Sequence, residues 1–179
     1  MSDGKTLEQK QIFKGKVVDL VVETVELPNG GVTELEVIRH PGAAAMVPLT
    51  SDGQVLLVRQ YRHAPRSWLL EIPAGKLDPG EAPEVCAARE LEEEVGYRPG
   101  ELISLGWIWT TPGFTNEKIW LYLARDLVAG TQALEGDEVL SVESVPLDEA
   151  VAKVHGGEIC DGKSVCALLR VAAYLEAEK

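Results

Sequence analysis

Three glutamates within one short segment have the chemistry and the spacing of a metal site. Glu90, Glu93 and Glu94 stand at positions i, i+3 and i+4, so in a helix their carboxylates share one face. Like charges at this spacing destabilise a helix by about 0.2–0.5 kcal/mol per pair, and a divalent cation bound by their oxygens would reverse that effect. Mg²⁺ and Mn²⁺ prefer such oxygen ligands. Arg89, four residues before Glu93, can pair with it and hold its carboxylate in place.

Glutamates on a helix often form only a solvated face, but the residues before this helix favour metal chemistry. The segment from Gly75 to Tyr97 contains, in this order, Gly75, Glu81, Arg89-Glu90, Leu91, Glu93-Glu94, Gly96 and Tyr97. This order resembles the Nudix box, G-x5-E-x7-R-E-U-x-E-E-x-G-U, in which U is apolar. All seven fixed positions match, which by chance has a probability on the order of 10⁻⁸ per start position. Tyr97 departs from the aliphatic residue that is more usual there.

The resemblance implies a fold, a reaction and a cofactor. The fold is mixed α/β, a Nudix α/β/α sandwich in which the box forms a loop, a helix and a second loop. The reaction is hydrolysis of a nucleoside diphosphate linked to another moiety, with Mg²⁺ as cofactor and Mn²⁺ as its substitute. Bound metal ions acidify water and neutralise charge on a leaving phosphate, which suits attack on a pyrophosphate. A non-catalytic Nudix-like binding module is the alternative, and the complete box favours the enzyme.

The same resemblance assigns roles to the residues of the box. The Ala74 carbonyl, Glu90 and Glu94 are expected to be metal ligands. Glu93 is expected to be a ligand or to orient the attacking water, and Arg89 to position Glu93.

Segments outside the box resemble the ADP-ribose pyrophosphatase branch of the family. Pro112, sixteen residues after Gly96, lies in Thr111–Glu117, and related motifs occupy Arg59–Arg62 and Glu71–Gly75. This branch converts ADP-ribose to AMP and ribose 5-phosphate. A GDP-mannose or other nucleotide-sugar pyrophosphatase is the alternative. The residues expected to bind substrate are Arg62 at a phosphate, Glu71, Gly113, Phe114 near the ribose pocket, and Glu117 at the terminal ribose. Trp68 is open to two interpretations, stacking on the base or a core or surface role.

A general base is expected outside the box, because metal ligation lowers the basicity of the box carboxylates. The branch carries it on a loop, and the matching segment here is Leu134–Val139. Glu138 is favoured, Glu135 is the alternative, and Glu93 takes the role if neither does.

The segment Gly157–Ser164 satisfies G-x4-G-K-[ST], the pattern of a P-loop, which would indicate a nucleotide-binding protein of another class. The residues before it are predicted to be helical rather than a strand, and two acidic residues would oppose bound phosphates. Only fifteen residues follow Ser164. The pattern is therefore interpreted as the start of a helix, with Ser164 as its N-cap.

Composition limits the class of protein and its partners. The chain has 179 residues, 45% hydrophobic and 26% charged, which fits one globular domain. A formal net charge of −12 disfavours nucleic-acid binding. Three cysteines without a C-x-x-C spacing suit a reducing cytoplasm, and no leader or membrane span is evident.

Periodicity predicts the elements that must position these residues. Strands are predicted at 12–27, 32–39, 43–49, 54–60, 69–73, 102–110, 119–124 and 139–145, the first two forming a hairpin at Asn29-Gly30. Helices are predicted from Pro83 to Gly96, from an N-cap at Asp148 to Gly156-Gly157, and from Ser164 to the end. The apolar stripe predicted for the first helix is Val85, Ala88, Leu91 and Val95.

We expect two parts, an N-terminal element at 1–39 and a hydrolase domain at 40–179. The N-terminal hairpin carries more apolar surface than one small core needs. In the resembled branch such strands often pair across a homodimer, so a homodimer is expected.

Overall fold

The computed structural model describes residues 3–134, 136 and 139–178. The chain divides into two compact units. The first contains the chain up to Gly42 together with Trp109–Lys118. The second contains Ala43–Ile108 and the chain from Ile119 onward.

The first unit is built on a three-stranded antiparallel sheet in the order β1-β2-β3. Its strands are β1 (Lys5–Lys14), β2 (Asp19–Glu26) and β3 (Val32–Arg39). The β2–β3 hairpin turns at Asn29-Gly30, where Gly30 has a φ of +82° and the Gly31 amide donates to Asn29 Oδ1. The predicted hairpin is confirmed.

The predicted single strand over 12–27 is wrong, because the chain reverses inside it. The Gly15 amide donates to the Val18 carbonyl at 2.8 Å and closes a turn between β1 and β2. Every residue of β1 is exposed. A strand without a buried face needs no alternation of apolar and polar side chains, so no such pattern marked β1 in the sequence.

Within the described residues, the second unit contains two further sheets, a short strand pair and three helices. A mixed sheet has the order β7-β4-β10-β9, with β4 parallel to β10 and antiparallel to β7. An antiparallel sheet has the order β12-β5-β6, and β8 pairs with β11. The strands are β4 (Ala43–Pro48), β5 (Gln54–Arg62), β6 (Ser67–Glu71), β7 (Ala74–Lys76), β8 (Tyr97–Arg98), β9 (Glu101–Trp109), β10 (Lys118–Arg125), β11 (Val128–Ala129) and β12 (Leu140–Pro146). Trp109 at the end of β9 and Lys118 at the start of β10 are grouped with the first unit. The helices are α1 (Pro83–Val95), α2 (Leu147–Gly156) and α3 (Gly162–Ala177).

Alternate residues of β4 belong to two separate apolar clusters. Ala43, Ala45 and Val47 pack in the cluster that includes residues of α2 and α3. Ala44 and Met46 pack in the cluster that includes α1. Since successive strand residues point to opposite faces, helices cover both sides of the strands, and the predicted α/β/α sandwich is confirmed. Within the described residues, none of the helices combines the length and the apolar character that crossing a membrane requires.

The limits predicted for α1 are confirmed, and its buried face matches the predicted stripe at Leu91 and Val95 but not throughout. Pro83 is the first helical residue, and Gly96 ends the helix with a φ of +79°. Val85 is 55% exposed, so the predicted stripe is wrong at this position. The buried face consists of Cys86, Ala87, Glu90, Leu91, Glu94 and Val95.

The caps predicted for the other two helices are displaced by up to three residues. Pro146 precedes α2, so Asp148 lies in its first turn rather than at the N-cap. Asp161 caps α3 by accepting a hydrogen bond from the Ser164 amide. Ser164 is buried instead, and its Oγ accepts from the Ile72 amide at 2.8 Å.

Candidate active site

Two glutamates of α1 lie directly against the backbone of β7. A Cβ added to Gly75 would lie 1.8 Å from Cδ and Oε1 of Glu90. A side chain at this position would therefore force the Glu90 carboxylate to move away from Gly75. Glu94 is tied to the residue before it, since its Oε2 accepts from the Ala74 amide at 3.1 Å. Ala74, Glu90 and Glu94, three of the predicted metal-binding residues, are thus brought together.

These two glutamates do not form a solvated face. Glu90 is 8% exposed and Glu94 is 3% exposed, whereas the Glu93 side chain remains 38% exposed. Buried carboxylates occur where a charge or hydrogen-bond donors compensate for lost hydration. The alternative of an ordinary solvated helix face is therefore wrong for Glu90 and Glu94.

Arg89 joins the box carboxylates into one network. Its Nε and Nη2 donate to the two oxygens of Glu81 at 2.9 and 3.0 Å. Its Nη1 donates to Glu90 Oε1 at 2.7 Å and to Glu93 Oε2 at 2.9 Å. The pairing of Arg89 with Glu93 that the spacing suggested is present. The pair of hydrogen bonds between Arg89 and Glu81, called the Glu81–Arg89 clamp below, was not predicted. The fixed position of Glu81 in the box was the signal that this residue has a role.

The charges of the Arg89–Glu81 pair are strongly stabilised. Hydrogen bonds from Arg89, with help from the Asp78 amide, lower the pKa of Glu81 to about 2. The same contact with Glu81, followed by the neighbouring Glu90, raises the pKa of Arg89. Both groups are ionised at neutral pH, so Arg89 is a permanent cation at the centre of the acidic helix.

The donor set of this site suits a hard divalent cation. Carboxylate oxygens of Glu90 and Glu94 lie beside the Ala74-Gly75 backbone, and oxygen donors of this kind are preferred by Mg²⁺ and Mn²⁺. In the described ranges, no three His, Cys, Asp or Glu side chains are grouped closely enough to hold a metal ion. Glu90 and Glu93 share the Arg89 guanidinium instead. The arrangement of the buried Glu90 and Glu94 carboxylates beside the Ala74-Gly75 backbone, called the cradle below, nevertheless fits the expected cation.

Arg62 and Glu71 form a second ion pair in the same unit. Arg62 Nε and Nη2 donate to the two oxygens of Glu71 at 3.0 and 2.8 Å. Glu71 is 2% exposed and also accepts from Lys163. Burial favours the neutral form of Glu71, but the Arg62 hydrogen bonds and the Lys163 charge outweigh it and keep the pKa below its usual value. Sequence analysis predicted both members of this pair as substrate residues but did not predict that they contact each other.

The three remaining substrate candidates belong to the first unit. The Phe114 carbonyl accepts from the Ile38 amide at 2.8 Å, and the Phe114 side chain is 51% exposed. Glu117 accepts from Thr110 Oγ1 at 2.8 Å through Oε2 and lies 3.6 Å from His40 Nδ1 through Oε1. A Cβ at Gly113 would meet no atom within 4 Å.

Glu135 and Glu138, the candidates for the general base, lie outside the described residues. The described loop before them is attached to the end of α1. The Ala133 amide donates to the Glu93 carbonyl at 2.9 Å, and Gln132 Nε2 donates to the Glu94 carbonyl at 2.7 Å. Gln132 was missed by sequence analysis, because a single glutamine in a loop carries no recognisable pattern.

Two further candidates are clarified by their surroundings. The segment Gly157–Ser164 follows α2 rather than a strand, and Lys163 pairs with Glu71 and Asp161, so the P-loop alternative is wrong. Trp68 is 51% exposed, and its ring lies 5.7 Å from that of Tyr61. Three residues apart on β6, Trp68 and Glu71 face opposite sides of the strand.

Comparison with known proteins shows the family. A family model for the NUDIX domain matches residues 39–167. An ADP-ribose pyrophosphatase of Bacillus subtilis (strain 168) is 41% identical over 179 residues, covering 98% of this chain and 97% of the relative. A methanol dehydrogenase activator of Bacillus methanolicus is 43% identical over 166 residues, covering 92% and 90%. A GDP-mannose pyrophosphatase of Cronobacter sakazakii (strain ATCC BAA-894) is 36% identical over 151 residues, covering 74% and 78%.

A solved structure supports the fold independently. The crystal structure of an ADP compounds hydrolase matches with a TM-score of 0.86 and 23% identity, covering 99% of this chain and 97% of that one. The sandwich and its acidic loop–helix segment are those of pyrophosphate-cleaving hydrolases that depend on divalent metal ions. The chain belongs to the NUDIX domain family and is a Nudix pyrophosphohydrolase. The predicted resemblance to the family and to its ADP-ribose pyrophosphatase branch is confirmed.

Proposed function

We propose that this enzyme hydrolyses the pyrophosphate bond of ADP-ribose to give AMP and ribose 5-phosphate. The observation that carries the proposal is the cradle at Gly75, where two buried carboxylates of α1 lie against the backbone of β7. The near full-length similarity to an ADP-ribose pyrophosphatase supports the substrate. The similarity to a GDP-mannose pyrophosphatase supports the second candidate, a related nucleoside diphosphate sugar.

The box residues would hold the cation and orient the attacking water. The Ala74 carbonyl, Glu90 and Glu94 would hold Mg²⁺ or, in its place, Mn²⁺, and Glu93 would act as a further ligand or orient the water. When bound, the cation acidifies water and neutralises charge on the departing phosphate. Arg89 keeps Glu90 and Glu93 in place and limits the repulsion between them.

Residues outside the box bind the substrate and move the proton. Arg62 would contact a phosphate, held by its pair with Glu71. Further contacts with the substrate would come from Gly113, from Phe114 at the ribose pocket and from Glu117 at the terminal ribose. Glu138, or else Glu135, would take the proton from the attacking water.

The enzyme is proposed to be a cytoplasmic homodimer that binds neither nucleic acid nor membranes. Three free cysteines suit a reducing compartment, and a net charge of −12 repels phosphate backbones. The dimer is supported by large apolar side chains that the N-terminal strands expose, including Leu7, Phe13 and Val32.

A substrate panel tests the function directly. Purified enzyme is assayed with ADP-ribose, GDP-mannose, ADP-glucose, NADH and diadenosine polyphosphates in Mg²⁺, with products separated by chromatography. We expect the highest kcat/KM for ADP-ribose, with AMP and ribose 5-phosphate as products. A preference for GDP-mannose would change the assigned substrate but keep the assigned active site. No turnover of any compound would refute the proposal.

A further inference from the structure

The segment that resembles a P-loop places two side chains, Lys163 and Ser164, against the strand and loop that precede the box. Lys163 donates to Glu71 and, at 2.9 Å, to Asp161 Oδ2. Asp161 caps α3 through the Ser164 amide, and Ser164 Oγ accepts from the Ile72 amide at 2.8 Å. The start of α3 is therefore attached to Glu71 by the Lys163 ion pair and to the Ile72 backbone by the Ser164 hydrogen bond.

Glu71 receives two cations from different elements. Its Oε2 accepts from Arg62 Nη2 on β5 and from Lys163 Nζ on α3. The side chains of Glu71 and Lys163 are 2% and 11% exposed. A buried carboxylate of this kind is held strongly, because water is not available to replace a lost partner. Lys163 thus adds a cation from α3 to the carboxylate that Arg62 binds from β5.

Arg62 is oriented by this carboxylate. Its guanidinium uses Nε and Nη2 to bind Glu71, and within the described residues Nη1 has no hydrogen-bond partner. Hydrogen bonds to Glu71 are the main cause that raises the pKa of Arg62, and the charge of Glu94 adds to it. The Arg62 side chain is 40% exposed, so part of its guanidinium is accessible to a ligand.

We propose that Lys163 is a positioning residue, which holds the Glu71 carboxylate so that Arg62 presents Nη1 to a substrate phosphate. The inference rests on the proposed function for the contact between Arg62 and phosphate. A planar guanidinium aligned by a bidentate carboxylate loses little rotamer freedom when it binds. Without Lys163 the carboxylate can turn about its side chain, and Arg62 follows it away from the phosphate.

The test separates positioning from general stabilisation. Lys163→Met removes the charge and keeps the length of the side chain, and Lys163→Arg restores the charge. Lys153→Met is the matched control, since Lys153 lies on the neighbouring α2 and forms its ion pairs with Glu149 and Glu158 instead. Full-length variants are compared by calorimetric binding of ADP-ribose in EDTA, where no turnover occurs, and by kcat and KM in Mg²⁺.

We expect Lys163→Met to raise both Kd and KM for ADP-ribose by about tenfold, with kcat changed by less than about threefold. Lys163→Arg should restore both constants to within about threefold of the wild type, and Lys153→Met should change neither. If circular dichroism shows that Lys163→Met is unfolded, Lys163→Gln is measured with the same expectation. A Kd unchanged in the folded variant would overturn the proposal.

A double-mutant cycle shows whether Lys163 acts through Arg62. In an Arg62→Ala background, Lys163→Met should raise KM by less than about twofold, because the group being positioned is gone. An equal effect in both backgrounds would mean that Lys163 is merely structural. If the substrate panel instead selects GDP-mannose, the same cycle is run with that substrate. Failure of the ADP-ribose assignment and failure of the positioning role are thereby distinguished.

Discussion

At the scale of single residues, Gly75 leaves the space beside the backbone that the Glu90 carboxylate occupies. Its Cα lies where any Cβ would meet the Glu90 carboxylate at 1.8 Å, so even alanine must displace that carboxylate. We expect Gly75→Ala to lower kcat by at least about a hundredfold while the protein stays folded. Gly156→Ala is the control, because a Cβ there meets nothing within 4 Å. Normal turnover by Gly75→Ala would show that the cradle has no part in catalysis.

The two buried glutamates should be essential for metal-dependent turnover. Glu90→Gln and Glu94→Gln each remove a charged ligand, and we expect kcat in Mg²⁺ to fall by at least about a hundredfold. The helix should still form, because each change also removes a like-charge neighbour. Glu92→Gln is the control on the same helix, since Glu92 pairs with Arg98 instead. If both box variants keep near-normal turnover, the box is not the active site.

The Glu81–Arg89 clamp should make stability depend on acid pH. Because the pKa of Glu81 is lowered to about 2 in the folded protein, its ionised form stabilises the fold above its unfolded pKa, which is about 4.3. That contribution is lost as the pH falls from there toward 2. Urea unfolding should therefore show Glu81→Gln less stable than the wild type at pH 6, with the difference shrinking below pH 4.5. A difference independent of pH would contradict the assigned charge pair.

At the scale of elements, α1 positions both the cradle and the loop that follows β11. Its side chains Glu90 and Glu94 lie against β7, while its last carbonyls accept from Gln132 and Ala133. One helix therefore contacts both β7 and this loop. This attachment leads the chain directly into the segment that contains Glu135 and Glu138.

The general base is expected in that segment. We expect Glu138→Gln to lower kcat by about 10²–10⁴ with little change in KM, and Glu135→Gln to have a smaller effect. The loss should decrease as pH rises, because hydroxide replaces the missing base. Kinetics between pH 6 and 9.5 measure this. A severe effect only in Glu135→Gln would shift the assignment by three residues, and normal kinetics in both would transfer the role to Glu93.

At the scale of the whole molecule, the N-terminal strands should mediate a homodimer. Exposed apolar side chains on β1 and β3 include Phe13 at 57% and Val32 at 61%, and such surface is usually covered in an assembly. Deletion of residues 1–39 should abolish both dimerisation and activity. Phe13→Asp, which leaves the chain length intact, should weaken the dimer in light scattering. A wild type that is monomeric at micromolar concentration and fully active would refute the prediction.

Much of the fold could be predicted because its signals are local. Pro83 and Gly96 limit α1 through their own backbone preferences, and Asn29-Gly30 specifies a hairpin turn. The strand β1 was missed because its exposed residues carry no apolar alternation. The cap of α3 was misplaced because Asp161 and Ser164 are both good capping residues, and the contact of Ser164 with Ile72 decided between them.

The sequence by itself determined the family and the acidic helix, since the types and spacing of the box residues are properties of one continuous segment. Only the tertiary structure decided which carboxylates are buried, because burial depends on β7 meeting α1 at Gly75. It also decided the partner of Lys163, which is separated from Glu71 by 92 positions in the chain. Contacts between distant segments arise from packing, and the local pattern around Lys163 suggested a phosphate where the folded chain supplies a carboxylate.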